Sequence, residues 1–206
     1  FQGITIATAE YSIEGTDAAD MEHTKKSDSI FWKIEGETLY IKGTGEIPNY
    51  SNTSALTNLL RFNRADWFKQ RKDIKHVVIE DGITGIGTLA IANMTHLESI
   101  EIKGADVELA RGAVNNYQGN DGTLTITVPL SVYQQNKMGE NGWFTESSQN
   151  PNPTIEFVIS NVNDIEAHYA DVLKLDAADS ANWSATAAAY EEYEALPDVV
   201  KTQLKD

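Results

Sequence analysis

Residues 74–103 read IKHVVIEDGITGIGTLAIANMTHLESIEIK, and this stretch decides the fold. Its apolar residues follow the spacing L-x-x-L-x-L twice, 23 residues apart, first at Ile74, Val77 and Ile79 and then at Leu97, Ile100 and Ile102. A second landmark has the same offset, since residues 86–93 (IGTLAIAN) align with residues 109–116 (LARGAVNN). Two independent landmarks at one offset indicate an internal repeat.

A period of about 20–29 residues with this spacing is typical of leucine-rich repeats, in which each unit contributes a short strand to a stacked array. We therefore predict strands at both L-x-x-L-x-L segments, with residues 83–91 turning back toward the interior. Residues 124–128 predict a third strand. It begins about three residues later than the 23-residue period requires, because residues 119–122 insert a turn. Ile155, Phe157 and Ile159 predict a fourth strand that closes the array.

The segments on either side of the repeats predict caps. Residues 30–34 and 39–41 predict a β-hairpin with a turn at residues 35–38, in which Trp32, Ile34, Leu39 and Ile41 share a buried face. Residues 56–72 predict a helix, and residues 131–137 predict a shorter one after Pro129 ends the third strand. We expect the Trp143-Phe144 pair to cover the closing end of the array.

Composition changes at Asn161. Residues 161–206 contain no glycine and hold ten acidic residues against three basic ones. Residues at helical spacing predict three short helices. The first is marked by Ile165, Tyr169 and Val172. The second is marked by Trp183, Ala187, Tyr190 and Glu194, and the third by Val199, Val200 and Leu204. Such a small bundle needs a neighbour to pack on, either the repeats or another module.

Together these patterns predict an α+β chain in three parts. Residues 1–28 form an expression remnant and N-terminal leader, with one edge strand near Ile4. Residues 29–160 form a short leucine-rich-repeat solenoid with a β-hairpin cap, and residues 161–206 form a three-helix module. Phe1-Gln2-Gly3 resembles the remnant of an engineered cleavage site, and we expect that an export signal was removed ahead of it.

The charge and the cysteine count exclude several functions. The net charge is −15, with 31 acidic residues against 16 basic ones, so we expect neither nucleic acid nor an anionic membrane surface as a partner. Cysteine is absent, which excludes disulfides, thiolate metal sites and thiol nucleophiles. The chain has no apolar run long enough to predict membrane insertion.

The segment from Trp32 to Gly87 resembles the opening units of BspA-like bacterial leucine-rich repeat proteins. The residues that carry the resemblance are Trp32-x-Ile34, Leu39-x-Ile41-x-Gly43-Thr44-Gly45-x-Ile47-Pro48-x-Tyr50, Trp67 and the segment from Ile74 to Gly87. Val128-Pro129-x-x-x-Val132-Tyr133 and Trp143 are similar to the closing unit of that family. The resemblance covers about 130 of the 206 residues. It implies a surface-exposed or secreted bacterial protein that adheres to host proteins or other cells.

The C-terminal segment has a resemblance of its own. Residues 190–201 (YEEYEALPDVVK) are similar to small helical spacers in Gram-positive surface proteins. This resemblance implies a role in positioning neighbouring modules. Only two recognisable middle repeats remain, so the binding face of the predicted solenoid is short.

We find no residue pattern that predicts catalysis, a cofactor or a metal. The histidines His23, His76, His96 and His168 lack the i, i+4 spacing of a helical zinc site. Gly82-x-x-Gly85-x-Gly87 lacks the Gly-Lys-Ser/Thr ending of a phosphate loop and lies within the repeat period. Two weaker alternatives stay open: a carboxylate pair of the glycosidase kind, at Glu80-Asp81 or Asp106-Glu108, and a calcium site at residues 120–122 or 176–179.

The remaining candidate is a surface, because residues between inward-facing positions of a strand face outward. The predicted partner-binding face consists of His76, Val78, Glu80, Ser99, Glu101, Lys103, Thr125 and Thr127, extended by Glu156 and Val158. We predict a non-enzymatic cell-surface or secreted module that binds a host or cell-surface protein or a glycan. The alternatives are a structural spacer in a larger surface protein and a polysaccharide-recognising accessory module of an extracellular enzyme.

Overall fold

The computed structural model describes residues 21–24, 27–50, 64–115, 123–136, 144–145, 154–176 and 179–204. The strands in these ranges are β1 (Glu22–Thr24), β2 (Ser27–Glu35), β3 (Thr38–Gly43), β4 (Gly45–Ile47), β5 (His76–Ile79), β6 (Ile83–Ile86), β7 (Ile91–Ala92), β8 (Ser99–Ile102), β9 (Glu108–Leu109), β10 (Val114–Asn115), β11 (Thr123–Val128), β12 (Phe144–Thr145) and β13 (Thr154–Ile159). The α-helices are α1 (Leu130–Gln135), α2 (Val162–Leu173), α3 (Trp183–Glu194) and α4 (Asp198–Lys201). Two short 3₁₀ helices cover Asp66–Gln70 and Ser180–Asn182. The chain is therefore a mixed α+β protein.

The strands form three sheets. The largest has seven strands in the order β1-β2-β3-β5-β8-β11-β13, and the two smaller ones have the orders β4-β6-β9 and β12-β10-β7. β1, β2 and β3 pair antiparallel, whereas β3, β5, β8, β11 and β13 pair parallel. The predicted hairpin is thus confirmed, and its second strand begins the parallel part of the large sheet.

Strand register confirms the 23-residue offset on all three sheets. His76 pairs with Ser99 on the large sheet, Ile86 pairs with Leu109 on the second, and Ile91 pairs with Val114 on the third. Each of the two middle repeats therefore contributes one strand to every sheet. Consecutive repeats stack in register because their strands hydrogen-bond to each other.

The residues at the L-x-x-L-x-L positions form the core. All six of them, in both repeats, are almost completely buried. Ile74 and Leu97 come before the first hydrogen-bonded residues of β5 and β8, but both are buried like the strand residues. The four predicted inward residues of the hairpin also pack in this core, with Ile34 only half-buried. Burial of each such side chain contributes on the order of 1.5–3 kcal/mol to folding.

The glycines after β5 are required by close approach between repeats, which confirms the structural interpretation of this motif. Gly82 has φ +91, and a Cβ there would lie 2.5 Å from the carbonyl oxygen of Gly43. A Cβ on Gly87 would collide with the carbonyl of Pro48. A side chain at either position would push the stacked turns apart.

Two N-terminal predictions differ from the structure. The predicted leader includes residues 22–28, but β1 and the start of β2 lie there, because β1 gains a hydrogen-bonded neighbour in β2. The described part of the predicted 56–72 helix is the 3₁₀ helix at Asp66–Gln70, followed by a turn. The proposed edge strand near Ile4, residues 56–63, residues 120–122 and Trp143 lie outside the described residues.

The predicted C-terminal helices are present, and they pack on the repeats. α4 lies against β13, and Val200 is fully buried in the same core as the repeat strands. The residues that marked the second helix do not face this core. Trp183 and Tyr190 are 62% and 65% exposed, whereas Ala189 is buried. Ala189 is the buried residue of α3, and the ring of Tyr193 packs against that of Tyr169 on α2.

Two side-chain amides complete sheet edges at the C-terminal end of the array. Asn136 accepts a hydrogen bond from the backbone N–H of Leu109 at 2.7 Å and donates one to the carbonyl of Val107 at 2.8 Å. Gln203 accepts from the N–H of Ile159 at 2.9 Å and donates to the carbonyl of Phe157 at 3.1 Å. Each amide thereby occupies the place of a further strand, which satisfies backbone groups that an edge strand leaves unpaired.

In the part of the chain that the structure describes, none of the helices combines the length and the hydropathy needed to span a membrane.

Candidate functional site

The candidate site is the outer face of the seven-stranded sheet. Strand register aligns the outward residues of neighbouring strands in rows that run across the sheet. The row nearest the start of the parallel strands contains Thr38, His76, Ser99, Thr125 and Glu156. The next row contains Lys33, Tyr40, Val78, Glu101, Thr127 and Val158. The sheet therefore brings the predicted residues of these strands together on one surface.

Most of these side chains are half-buried. The predicted positions from His76 to Thr127 have intermediate exposure, apart from Lys103, which is exposed. Neighbouring strands lie about 4.8 Å apart, so adjacent side chains in a row shield each other from solvent. The face is thus an ordered surface whose side chains have restricted freedom.

An ion pair marks the end of the face where β5 and β8 finish. The ammonium of Lys103 donates to both carboxylate oxygens of Glu80, at 3.0 and 3.1 Å. These hydrogen bonds are the main cause of the raised pKa of Lys103, and the negative charges of Glu101 and Asp81 add to the effect. Glu80 therefore has a cationic partner, which argues against its use as one of a free catalytic carboxylate pair.

A second ion cluster lies at the opposite end, where the strands begin. Lys75 lies 3.1 Å from Glu37 and 3.8 Å from Glu98. The hydrogen bond to Glu37 is the leading cause of the raised pKa of Lys75. These three residues come from successive units of the sheet, so charged side chains border the face at both ends.

His76 lies in the row between this second cluster and the centre of the face. Its Nδ1 is 2.9 Å from Oγ of Ser99, the residue directly opposite on β8. The other histidines with described side chains lie elsewhere: His96 contacts the carbonyl of Lys72 at 2.7 Å, and His168 contacts Glu192 at 3.1 Å. No group of three or more potential metal ligands occurs among the described residues.

Sequence reasoning missed the contribution of the N-terminal hairpin to this face. Tyr40 pairs with Val78 across β3 and β5, and Lys33 lies over the ring of Tyr40 at 5.6 Å. Phe31 faces the same way one row further along. The signal was available, because the hairpin residues that alternate with the buried set must face outward.

The candidate calcium segment at residues 176–179 makes structural hydrogen bonds before α3. Asp179 accepts a hydrogen bond from the N–H of Ala181 at 2.9 Å and caps the second 3₁₀ helix. The backbone carbonyl of Asp176 accepts from the side chain of Asn182 at 3.0 Å. These contacts fix the turn before α3, and the carboxylate of Asp179 acts as its cap.

Comparison with known proteins gives a weak structural similarity. No protein-family model and no curated protein matches the chain. A solved structure with similarity is a leucine-rich repeat protein from Eubacterium ventriosum ATCC 27560, with 19% identity and a TM-score of 0.33. The match covers 66% of this chain and 43% of that protein, so this chain spans less than half of its length.

Proposed function

We propose that residues 29–160 form a short, capped leucine-rich-repeat solenoid of the BspA-like kind and that its large sheet binds a macromolecular partner. In this proposal the chain is a non-enzymatic adhesion module that is secreted or displayed on a bacterial cell surface. The partner is a host or cell-surface protein, and the contact surface is the outer face of the sheet.

One observation carries the proposal. Tyr40 and Val78 are paired in register at the centre of the face, between the Lys75 cluster at one end and the Glu80–Lys103 pair at the other. Protein interfaces have an apolar or aromatic centre surrounded by a polar rim, and tyrosine is enriched among the residues that dominate affinity. The outer face has this distribution of apolar and charged groups.

The core beneath the face supports the same proposal. The inward residues of β3, β5, β8 and β11 are almost fully buried, so the outward side chains project from strands that are held in place. A rigid scaffold lowers the entropy that is lost when a partner binds. A broad sheet surface also suits an extended macromolecule better than a small molecule, which requires a concave pocket.

The proposal is tested by screening the chain against arrays of extracellular-matrix proteins and glycans. The triple variant His76→Ala, Glu101→Ala, Thr125→Ala and the single variant Tyr40→Ala should each weaken binding about tenfold or more, because both remove contacts at the centre of the face. Glu46→Ala is the matched control, since Glu46 is exposed on β4 in a different sheet.

Binding that survives both variants would place the contact elsewhere on the molecule. Binding to glycans alone, through the same residues, would favour an accessory module that recognises polysaccharide.

A structural spacer is the second candidate, and the packing of α4 on β13 favours it. Val200 is buried in the repeat core and Gln203 completes the edge of β13, so the helical segment is fixed to the array. A fixed connection of this kind would hold neighbouring modules at a defined distance. Absence of binding on both arrays would favour the spacer.

A further inference from the structure

Helix α3 presents an exposed aromatic stripe along one side. Trp183, Ala187 and Tyr190 follow one another at intervals of four and three residues, which places them on one face of the helix. Trp183 is 62% exposed, Tyr190 is 65% exposed, and Ala187 is exposed as well. Contiguous exposed apolar patches mark interaction sites on protein surfaces.

The stripe points away from the helix on which α3 packs. Ala189 is buried, the ring of Tyr193 lies 6.0 Å from that of Tyr169 on α2, and Glu192 contacts His168 on α2. These contacts fix the rotation of α3 about its axis. The stripe therefore cannot turn inward without breaking the α2–α3 contacts.

Contacts at both ends also hold α3 in place. Asp179 caps the 3₁₀ turn that leads into the helix. At the other end, the ammonium of Lys201 donates to the carbonyl of Glu194 at 2.8 Å and lies over the ring of Tyr193 at 5.4 Å. The stripe is consequently a preformed surface, and little ordering is needed for binding.

The surroundings of the stripe are acidic. Glu191 and Glu194 are exposed on the same part of α3, and residues 161–206 carry a net charge of −7. A second copy of this chain would bring the same negative charges against the stripe, and an anionic surface would be repelled. A cationic partner would instead gain attraction from these carboxylates.

We propose that the α3 stripe, defined as Trp183, Ala187 and Tyr190, binds a cationic amphipathic helix of a partner protein. The four-and-three spacing matches the apolar seam through which two helices pack side by side. The apolar side of the partner covers Ala187 and the two rings, and its arginines pair with Glu191 and Glu194. This surface lies on the helical segment, separate from the outer face of the large sheet.

The test is calorimetric titration of the full chain with a helical peptide of about 20 residues, made of leucine, alanine and arginine in an amphipathic pattern. A second peptide carries glutamate in place of every arginine. We expect the arginine peptide to bind, its affinity to fall as salt increases, and the glutamate peptide not to bind.

The double variant Trp183→Ala, Tyr190→Ala should weaken binding of the arginine peptide about tenfold or more. Ser184→Ala is the matched control, since Ser184 is exposed on α3 to one side of the stripe, and it should leave binding unchanged. Circular dichroism establishes that the variants keep their fold.

Three results would overturn the proposal. They are equal binding by the double variant, equal binding of both peptides, and no binding of the arginine peptide at concentrations up to about 1 mM. Sedimentation velocity measures whether the free chain forms a dimer. A dimer of the free chain that the double variant abolishes would make the stripe a self-association surface instead.

Discussion

Replacing Gln203 by alanine removes the group that completes the edge of β13. The Gln203 amide holds the N–H of Ile159 and the carbonyl of Phe157, two backbone groups that point away from β11. Alanine offers neither a donor nor an acceptor. The N–H of Ile159 is the more costly loss, because that residue is only 1% exposed.

The expected loss follows from these two hydrogen bonds. Each intramolecular hydrogen bond contributes about 0.5–1.5 kcal/mol net, and a buried group left without a partner adds a desolvation penalty. We therefore expect Gln203→Ala to lower the free energy of unfolding by about 2 kcal/mol. For a chain of this length, that loss corresponds to a decrease in Tm of about 4–8 °C.

Urea unfolding measures the free-energy change, and amide hydrogen exchange locates it. The N–H of Ile159 should lose protection in Gln203→Ala, whereas the amides of β8 should keep theirs. Thr202→Ala is the matched control. Thr202 is exposed and its hydroxyl bonds only within the same helical turn, to the carbonyl of Val199.

Gln203→Glu gives an independent test through pH. The carboxylate can still accept from Ile159, but it cannot donate to Phe157 and it repels that carbonyl oxygen. The protonated acid restores the donor, so the folded state raises the pKa of the introduced carboxyl above its unfolded value of about 4.3. The added stability is present below that value and is lost as pH rises through the folded pKa.

Equal stability of Gln203→Ala and Thr202→Ala, together with unchanged exchange at Ile159, would refute the reasoning. So would a Gln203→Glu variant whose stability relative to the native chain does not fall between pH 3 and pH 7.

Two further predictions concern Trp67 and Tyr50, whose rings lie 5.9 Å apart in the core, with Trp67 also 6.0 Å from Trp32 of β2. Trp67→Phe should lower the free energy of unfolding by about 1–3 kcal/mol in urea titration, because the indole N–H donates to the buried carbonyl of Ala90 at 2.9 Å. Burial raises the pKa of Tyr50 above its ordinary value of 10.0, with the negative charge of Asp66 as a smaller cause. The folded state therefore holds the phenol proton more tightly than the unfolded state does, so the native chain should lose stability as pH rises above 10.0. Tyr50→Phe should lose less stability over the same range. Thermal melts from pH 8 to 11 measure both losses.

Each of these predictions has a control in an exposed residue. Trp183→Phe makes the same chemical change as Trp67→Phe at a site that is 62% exposed, and it should lower stability less than Trp67→Phe does. Tyr190→Phe serves the same purpose for the alkaline titration. Equal effects at buried and exposed sites would contradict the assigned roles of Trp67 and Tyr50.

The repeat architecture was predictable because each repeat carries its own local signal. The apolar spacing around Val77 and Ile100 fixes which side chains face inward, and equal offsets place equivalent strands side by side. The outward set around His76 followed from the same alternation. The opposite side of the hairpin, at Tyr40, was equally accessible to that argument but was not included in the predicted face.

The helical segment shows where local reasoning fails. Its spacing correctly predicted a helix at α3, because helix formation depends on periodicity and on the propensity of nearby residues. The side that becomes buried depends on what lies beside the helix. Tyr169 on α2 contacts Tyr193, and Ala189 is buried, whereas Trp183 and Tyr190 are 62% and 65% exposed.

The sequence by itself determined the 23-residue period, the inward residues and the glycines between turns, since each depends on residues close along the chain. The tertiary structure alone decided how the array ends. Gln203 is 44 residues from Ile159, and Asn136 is 27 residues from Leu109. Neither amide belongs to a pattern that marks it as a substitute for a strand. Each amide pairs with backbone groups that only folding brings near. Backbone groups are the same at every position, so the sequence does not mark which of them the amide will contact.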